Sequence, residues 1–255
     1  MKVVVFNKKS LIIIIIAFIL IFLFLLFCSN YFSIATAVPA YSYAGDSMDS
    51  SSNNDLQEKL SSLAKSSEKI AYLTFDDGPT IKATPKVLDV LKEENVKASF
   101  FVIGKYVSHH PELVKRAYEE GHYIANHGYD HNNEKLYKND KSFINEIEST
   151  DKEIGKAIGI SDYHSYIFRF PNGYMSPNNK LKKKHSAKLL AKMNYGYIDW
   201  NCLNSDSVKK YTTSQLVSNL KKSCKNKGTL VILMHDTADV SNSSLALKES
   251  IDYLK

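Results

Sequence analysis

The apolar and polar positions divide the chain into three regions. From Leu11 to Cys28 every residue is apolar (LIIIIIAFILIFLFLLFC), and Lys2, Lys8 and Lys9 precede the run. Eighteen such residues are about enough to cross a bilayer as a helix, and the flanking lysines favour a cytoplasmic N-terminus. The first expectation is therefore a membrane anchor over residues 1–28 with the rest of the chain outside. The second is a cleaved signal peptide, since small-residue sites at Ala35–Ala37 and Val38–Ala40 follow. Residues 29–67 turn to Ser, Asn, Ala and Asp without a strong apolar period and read as a linker, with a short helix over Leu56–Lys65.

From residue 68 to 255 the pattern alternates between short apolar runs and segments of helical period. Ile70–Asp76, Ala98–Ile103, His122–Asn126, Tyr166–Arg169, Tyr197–Trp200 and Thr229–Met234 read as strands. Thr84–Glu94, Pro111–Gly121, Lys141–Ile158, Lys180–Met193 and Ser214–Cys224 read as helices between them. Such alternation predicts an α/β domain on a mostly parallel sheet. The 44% hydrophobic content is ample for one core. A net charge of +6 comes from lysines scattered over helices and loops, so no nucleic-acid partner is expected.

Candidate chemistry begins where the first strand stops. Asp76 and Asp77 are followed by Gly78 and Pro79, which places two carboxylates on a turn at a strand's C-terminal end, where parallel α/β folds gather functional groups. Neighbouring side chains on an extended segment point to different targets, so one carboxylate can hold a metal while the other handles a proton. In NHGYDH, His127 and His131 stand four apart, a spacing that on a helical turn presents two imidazoles to one ion. With Asp77 they form a three-ligand set that leaves room for water. Cys202 and Cys224 read as two buried thiols, with a bridge permitted outside the cytoplasm.

Five motifs in order, TFDDGP at Thr74, NHGYDH, Arg169 to Gly173 (RFPNG), a Trp/Asp segment and LMHD ending at Asp236, resemble those of the polysaccharide deacetylase family, carbohydrate esterase family four. The resemblance implies a distorted (β/α) barrel and a metal-dependent hydrolase that removes N-acetyl groups from a cell-surface polysaccharide. Peptidoglycan N-acetylglucosamine is the favoured substrate, because an anchor would hold the domain beside the wall. It implies Asp76 as base, Arg169 to orient it, and Asp77, His127 and His131 as ligands to Zn²⁺, with Co²⁺, Ni²⁺ or Mn²⁺ fitting similar donors. It further implies the main-chain N–H of Tyr174 as oxyanion donor, Trp200 and Leu233 in the acetyl pocket, His235 as general acid and Asp206 to orient it. An O-acetyl esterase, a chitin-oligomer deacetylase and a silent glycan-binding module stay open. The chain departs from the pattern at Gly128, where a hydroxyl residue is usual, at Leu203 and Ser207 in the fourth motif, and in ending at Lys255 soon after LMHD, so that the family's closing strand is expected to be absent or truncated, at a cost in stability or with the barrel's seam left open.

Overall fold

The computed structural model of the chain describes residues 51–63, 65–237 and 242–255. The apolar run Leu11–Cys28, and with it the anchor or signal expectation, lies outside those residues; no helix among the described residues is long and apolar enough to cross a membrane.

The strand that ends in the two carboxylates is central. β1 (Ala71–Asp76) pairs in parallel with β2 (Ser99–Val102) on one side and β7 (Leu230–His235) on the other. Beyond β2 lie β3 (Tyr123–Asn126), β4 (Ile167–Phe168) and β5 (Gly196–Tyr197); beyond β7 lies β6 (Cys202–Leu203), and every pairing is parallel. These strands read as continuous apolar runs because a parallel sheet is covered on both faces. On the outer face Leu73, Phe75, Phe100, Ile124, Ile232 and Met234 join one core with the helices. The alternate positions share the inner face, and the register sets Thr74 opposite Leu233 and Asp76 opposite His235.

The sheet cannot be flat. Seven strands side by side at about 4.8 Å would put the edge strands roughly 29 Å apart. Yet those edges, β5 and β6, are consecutive in the chain, with only residues 198–201 between them. Five residue steps reach at most roughly 17 Å, so the sheet must curl until its edges approach. The result is a half-barrel of parallel strands with helices outside, which fits the distorted (β/α) barrel. The seam lies between β5 and β6.

The helices follow their signals closely. α2 (Thr84–Glu93) carries Pro85 in its first turn, and α8 (Thr213–Cys224) opens on a capping box between Thr212 and Gln215. Between them run α3 (Gly104–His109), α4 (Pro111–Glu119), α5 (Asn133–Leu136), α6 (Asp140–Ile158) and α7 (Lys180–Lys192). The chain closes with α9 (Asn242–Leu254), a helix the sequence reading left out although Leu247 and Ile251 sit one turn apart on its buried side. The two thiols are buried and free, with their sulfurs 3.1 Å apart.

α1 (Ser51–Leu63) stands ahead of the expected boundary at residue 68, overlaps the short helix expected over Leu56–Lys65 and packs on β5. Leu56 and Leu60 of α1 press on Gly196 so closely that a Cβ there would stand 2.5 Å from Leu60 Cδ1. The Gln57 amide accepts from Tyr197 N–H (2.9 Å) and donates to Tyr197 O (3.2 Å). A side chain thus covers the open edge of β5, which an unpaired backbone would otherwise expose.

Candidate active site

The expected residues other than Trp200 and Tyr174 gather at the C-terminal ends of β1, β3, β4, β6 and β7. Arg169 is fully buried. Its Nη1 donates to Asp76 Oδ1 and to Thr74 Oγ1, both at 2.7 Å, and its Nε donates to Ile198 O at 3.0 Å. The guanidinium also lies 3.9 Å from the centre of the Phe101 ring. A buried cation needs such compensation, and here it holds one oxygen of Asp76 while leaving the other turned toward His127, 3.8 Å from its Nε2.

The next residue points elsewhere. Asp77 adopts φ 71°, a left-handed conformation that Asp tolerates, and the turn continues into the cis Gly78–Pro79 bond. Its Oδ1 lies 3.4 Å from His127 Nε2 and 3.5 Å from His131 Nε2. The spacing of the two histidines placed them together as expected, but not on a helix. His127 directly follows β3, and a loop turned by Gly128 (φ 83°) and His131 (φ 57°) brings the ring centres to 5.1 Å. Gly128 is therefore suited to its place: a β-branched hydroxyl residue would resist that φ. The loop is held instead by Glu146 of α6, whose Oε2 accepts from Tyr129 N–H (2.7 Å) and Asp130 N–H (3.2 Å), and by Asn126 Oδ1 on Gly128 N–H (2.9 Å).

Three features suit this triad to a metal ion. Asp77 Oδ1 is buried with no hydrogen-bond partner among the described residues. His127 Nδ1 contacts Arg169 O at 2.7 Å, which fixes the proton there and turns the Nε2 lone pair inward. The candidate ligand atoms of Asp77, His127 and His131 all lie within 4.8 Å of one another. Burial alone would raise the Asp77 pKa, but the imidazoles of His127, His131 and His235 beside it hold it well below the usual carboxylate range.

Across the site from Arg169, His235 Nδ1 lies 2.7 Å from Asp206 Oδ1, and Asp206 Oδ2 accepts His235 N–H at 2.9 Å. Ser243 Oγ donates to the same oxygen. Burial would lower the imidazole's pKa; the Asp206 hydrogen bond and the charges of Asp206, Asp76 and Asp77 override it and raise it to about 9. His235 Nε2 faces Asp77 Oδ2 at 4.0 Å. Leu233 shares the inner face one step before His235, beside Thr74.

The expectation for Tyr174 changes. Tyr174 N–H does not face a vacant oxyanion position: it donates to Asp199 Oδ1 at 2.7 Å, while the Tyr174 ring packs at a tilt against Tyr197. Trp200 packs on Gly173, where a Cβ would stand 2.8 Å from its ring, and lies 5.8 Å from the Arg169 guanidinium, forming the wall on the β5 side. The sequence reading passed over Thr74, Glu146, Asp199 and Asp236. Asp236 is fully buried, accepts from Thr84 Oγ1 at 2.6 Å and packs against Gly78, and burial pushes its pKa up to about 7. The DW pair at Asp199–Trp200 was the signal for Asp199, and Thr74 and Asp236 stand within the TFDDGP and LMHD motifs; nothing comparable marked Glu146.

Comparison with known proteins points one way. Residues 64–194 match the polysaccharide deacetylase family. The chain is 34% identical over 166 residues to a peptidoglycan-N-acetylmuramic acid deacetylase of Bacillus subtilis, covering 64% of this chain and 62% of that protein. It is also 34% identical over 186 residues to a peptidoglycan-N-acetylglucosamine deacetylase of Bacillus cereus, covering 72% and 62%. The chain thus spans less than two thirds of those relatives' length. Among solved structures it resembles an esterase of carbohydrate esterase family four from Streptococcus mutans (TM-score 0.68, 26% identity, 77% of this chain and 86% of that one). It also resembles the catalytic domain of a peptidoglycan N-acetylglucosamine deacetylase from Eubacterium rectale (TM-score 0.66, 29% identity, 73% and 84%).

Proposed function

The chain belongs to the polysaccharide deacetylase family, and from that footing we propose that it hydrolyses N-acetyl groups on a cell-surface polysaccharide, peptidoglycan N-acetylglucosamine first. The observation that carries this reading is the pairing of one carboxylate with a cation and one imidazole with a carboxylate, Asp76–Arg169 and His235–Asp206, both bordering the Asp77–His127–His131 triad, with Asp76 3.8 Å from His127 and His235 4.0 Å from Asp77. A binding module needs neither pair. Amide hydrolysis needs both a proton acceptor for water and a proton donor for the departing amine.

Asp77, His127 and His131 would hold the divalent ion, Zn²⁺ first and Co²⁺, Ni²⁺ or Mn²⁺ as fitting substitutes. Bound there, it supplies Lewis-acid polarisation of the acetyl carbonyl and acidifies the attacking water. Asp76, one of whose oxygens accepts from Arg169, takes that water's proton. His235, kept cationic by Asp206, gives a proton to the amine nitrogen as the carbon–nitrogen bond breaks, so acetate and a free amino sugar leave. In the turn after Arg169, Gly173 N–H is spent on Phe170 O, and those of Tyr174 and Met175 on Asp199. Pro171 has no N–H, which leaves Asn172 N–H as the main-chain donor for the oxyanion. Leu233 and Trp200 flank the acetyl methyl from the β7 and β5 sides.

The test is acetate release by the purified full-length chain from de-O-acetylated peptidoglycan and from chitin oligomers, with Zn²⁺ and with a chelator. Release that the chelator abolishes and Zn²⁺ restores is expected. Analysis of the product glycan for glucosamine against muramic acid names the sugar, and an enzyme active only on O-acetyl esters would replace the amidase reading. The run Leu11–Cys28, with its flanking lysines, supports a membrane anchor holding the catalytic domain outside the cell. Fractionation should recover the full-length chain with membranes; a shortened chain in the medium would mean a cleaved signal instead.

A further inference from the structure

The loop Gly173–Ser176 is gripped from two sides by opposite charges. Asp199 Oδ1 and Oδ2 accept from the consecutive amides of Tyr174 (2.7 Å) and Met175 (2.8 Å). From the other side Lys183 Nζ donates to Gly173 O (2.7 Å) and Ser176 O (2.6 Å). One carboxylate and one ammonium therefore fix a main-chain group in each of four successive residues.

Lys183 is unlike the rest of its helix. Lys180, Lys182, Lys184, Lys188 and Lys192 of α7 are exposed, whereas Lys183 is only 2% exposed. Burying an ammonium is costly unless its donors are met and its charge is balanced. Burial pulls the Lys183 pKa down and the Asp199 charge opposes that. The loop carbonyls and Asp199 are thus what make the position tolerable for a cation, and the cation in turn fixes the loop.

The grip reaches the reacting groups through the backbone. Arg169, which holds Asp76, donates through Nε to Ile198 O at 3.0 Å and through Nη2 to Asp199 O at 3.4 Å. Gly173 rests on the Trp200 ring, and on the solvent side the same loop carries Met175, 81% exposed. Arg169, Trp200 and the loop form one wall, rigid at its base and open to a polymer at its rim.

We infer that Asp199 and Lys183 are positioning residues that hold Gly173–Ser176 as a preformed rim for the sugar next to the one being deacetylated. They act through the loop and touch no reacting atom, so they govern affinity for an extended glycan more than the chemical step. The inference rests on the deacetylase reading above.

The experiment compares the full-length wild type with Lys183→Met, Lys183→Arg and Asp199→Asn. Chitin oligomer is the substrate, and hydrogen exchange is followed in the peptide spanning Tyr174 and Met175. In Asp199→Asn and Lys183→Met the KM should rise about tenfold while kcat falls less than about threefold. Exchange of the two amides should quicken at least about tenfold in Asp199→Asn, and Lys183→Arg should recover most of the KM. A KM that does not move overturns the inference, whether or not exchange quickens, and so does a loss confined to kcat. If Lys183→Met does not fold, Asp199→Asn and Lys183→Arg decide alone. If the wild type releases no acetate from chitin oligomer or from peptidoglycan, the deacetylase reading fails on its own. The oligomer Kd measured by calorimetry then replaces KM, with the same tenfold weakening expected.

Discussion

Asp76→Asn is expected to lower acetate release by roughly 10³-fold while the metal site stays loaded, the effect expected of losing a positioned general base. The substitution keeps the volume of a residue only 3% exposed at the end of β1. It also keeps an oxygen that can accept from Arg169 Nη1, now 2.7 Å away, and from no other change does the triad of Asp77, His127 and His131 suffer. What it removes is the ability to take a proton, together with the charge that balances a fully buried guanidinium. The second loss costs stability, since an uncompensated buried charge is expensive, although Thr74 Oγ1 and the Ile198 carbonyl still satisfy two of the Arg169 donors. Activity should therefore be compared with metal content by elemental analysis and with a thermal melt. A folded, metal-loaded variant within tenfold of wild type would remove Asp76 from the chemistry.

For Asp206→Asn we expect kcat/KM to fall by about 10- to 100-fold and its alkaline limb to move to lower pH by at least about one unit. The sign follows from which form works. The donor is the imidazolium of His235, and Asp206 is foremost among the groups that raise its pKa to about 9 against the opposite pull of burial. A raised pKa keeps the working form present to higher pH. Substituting an amide removes the charge 2.7 Å from Nδ1 but leaves an oxygen able to hold the ring in place, so the limb should retreat without a loss of fold. Ser243, which donates to the same carboxylate, would keep the side chain oriented. pH–rate profiles of the two proteins read the shift directly; coincident alkaline limbs would mean that His235 is not the titrating acid.

Much of the fold and of this machinery is legible in the chain because it is local or periodic. The run from Ile70 to Phe75 is apolar for a strand buried on both faces, and Asp, Asp, Gly and Pro in succession can only end it. The alternation of side chains along β1 and β7 then puts Asp76 and His235 on the same face by register alone. The spacing of His127 and His131 brings two imidazoles to one place, even though the conformation proves to be a loop with two left-handed residues rather than a helical turn. Four residues between β5 and β6 force the sheet to curl, a constraint already contained in the sequence once strand order is known.

The tertiary structure alone decides what depends on partners distant in the chain. That Tyr174 N–H belongs to Asp199, 25 residues on, follows from how β5 and the turn after β4 meet, and no propensity reports it. Lys183 carries the same letter as its exposed neighbours on α7, and only packing shows that its ammonium is spent on the loop before the helix. The polar, Ser-rich α1 reads as a short helix within a linker, and its packing on the domain is not legible, because a helix that covers one strand edge needs only Leu56, Gln57 and Leu60 to do so. Periodicity records which side of an element is buried. It does not record against which partner, and a hydrogen bond between residues far apart in sequence exists only once the chain has closed the space between them.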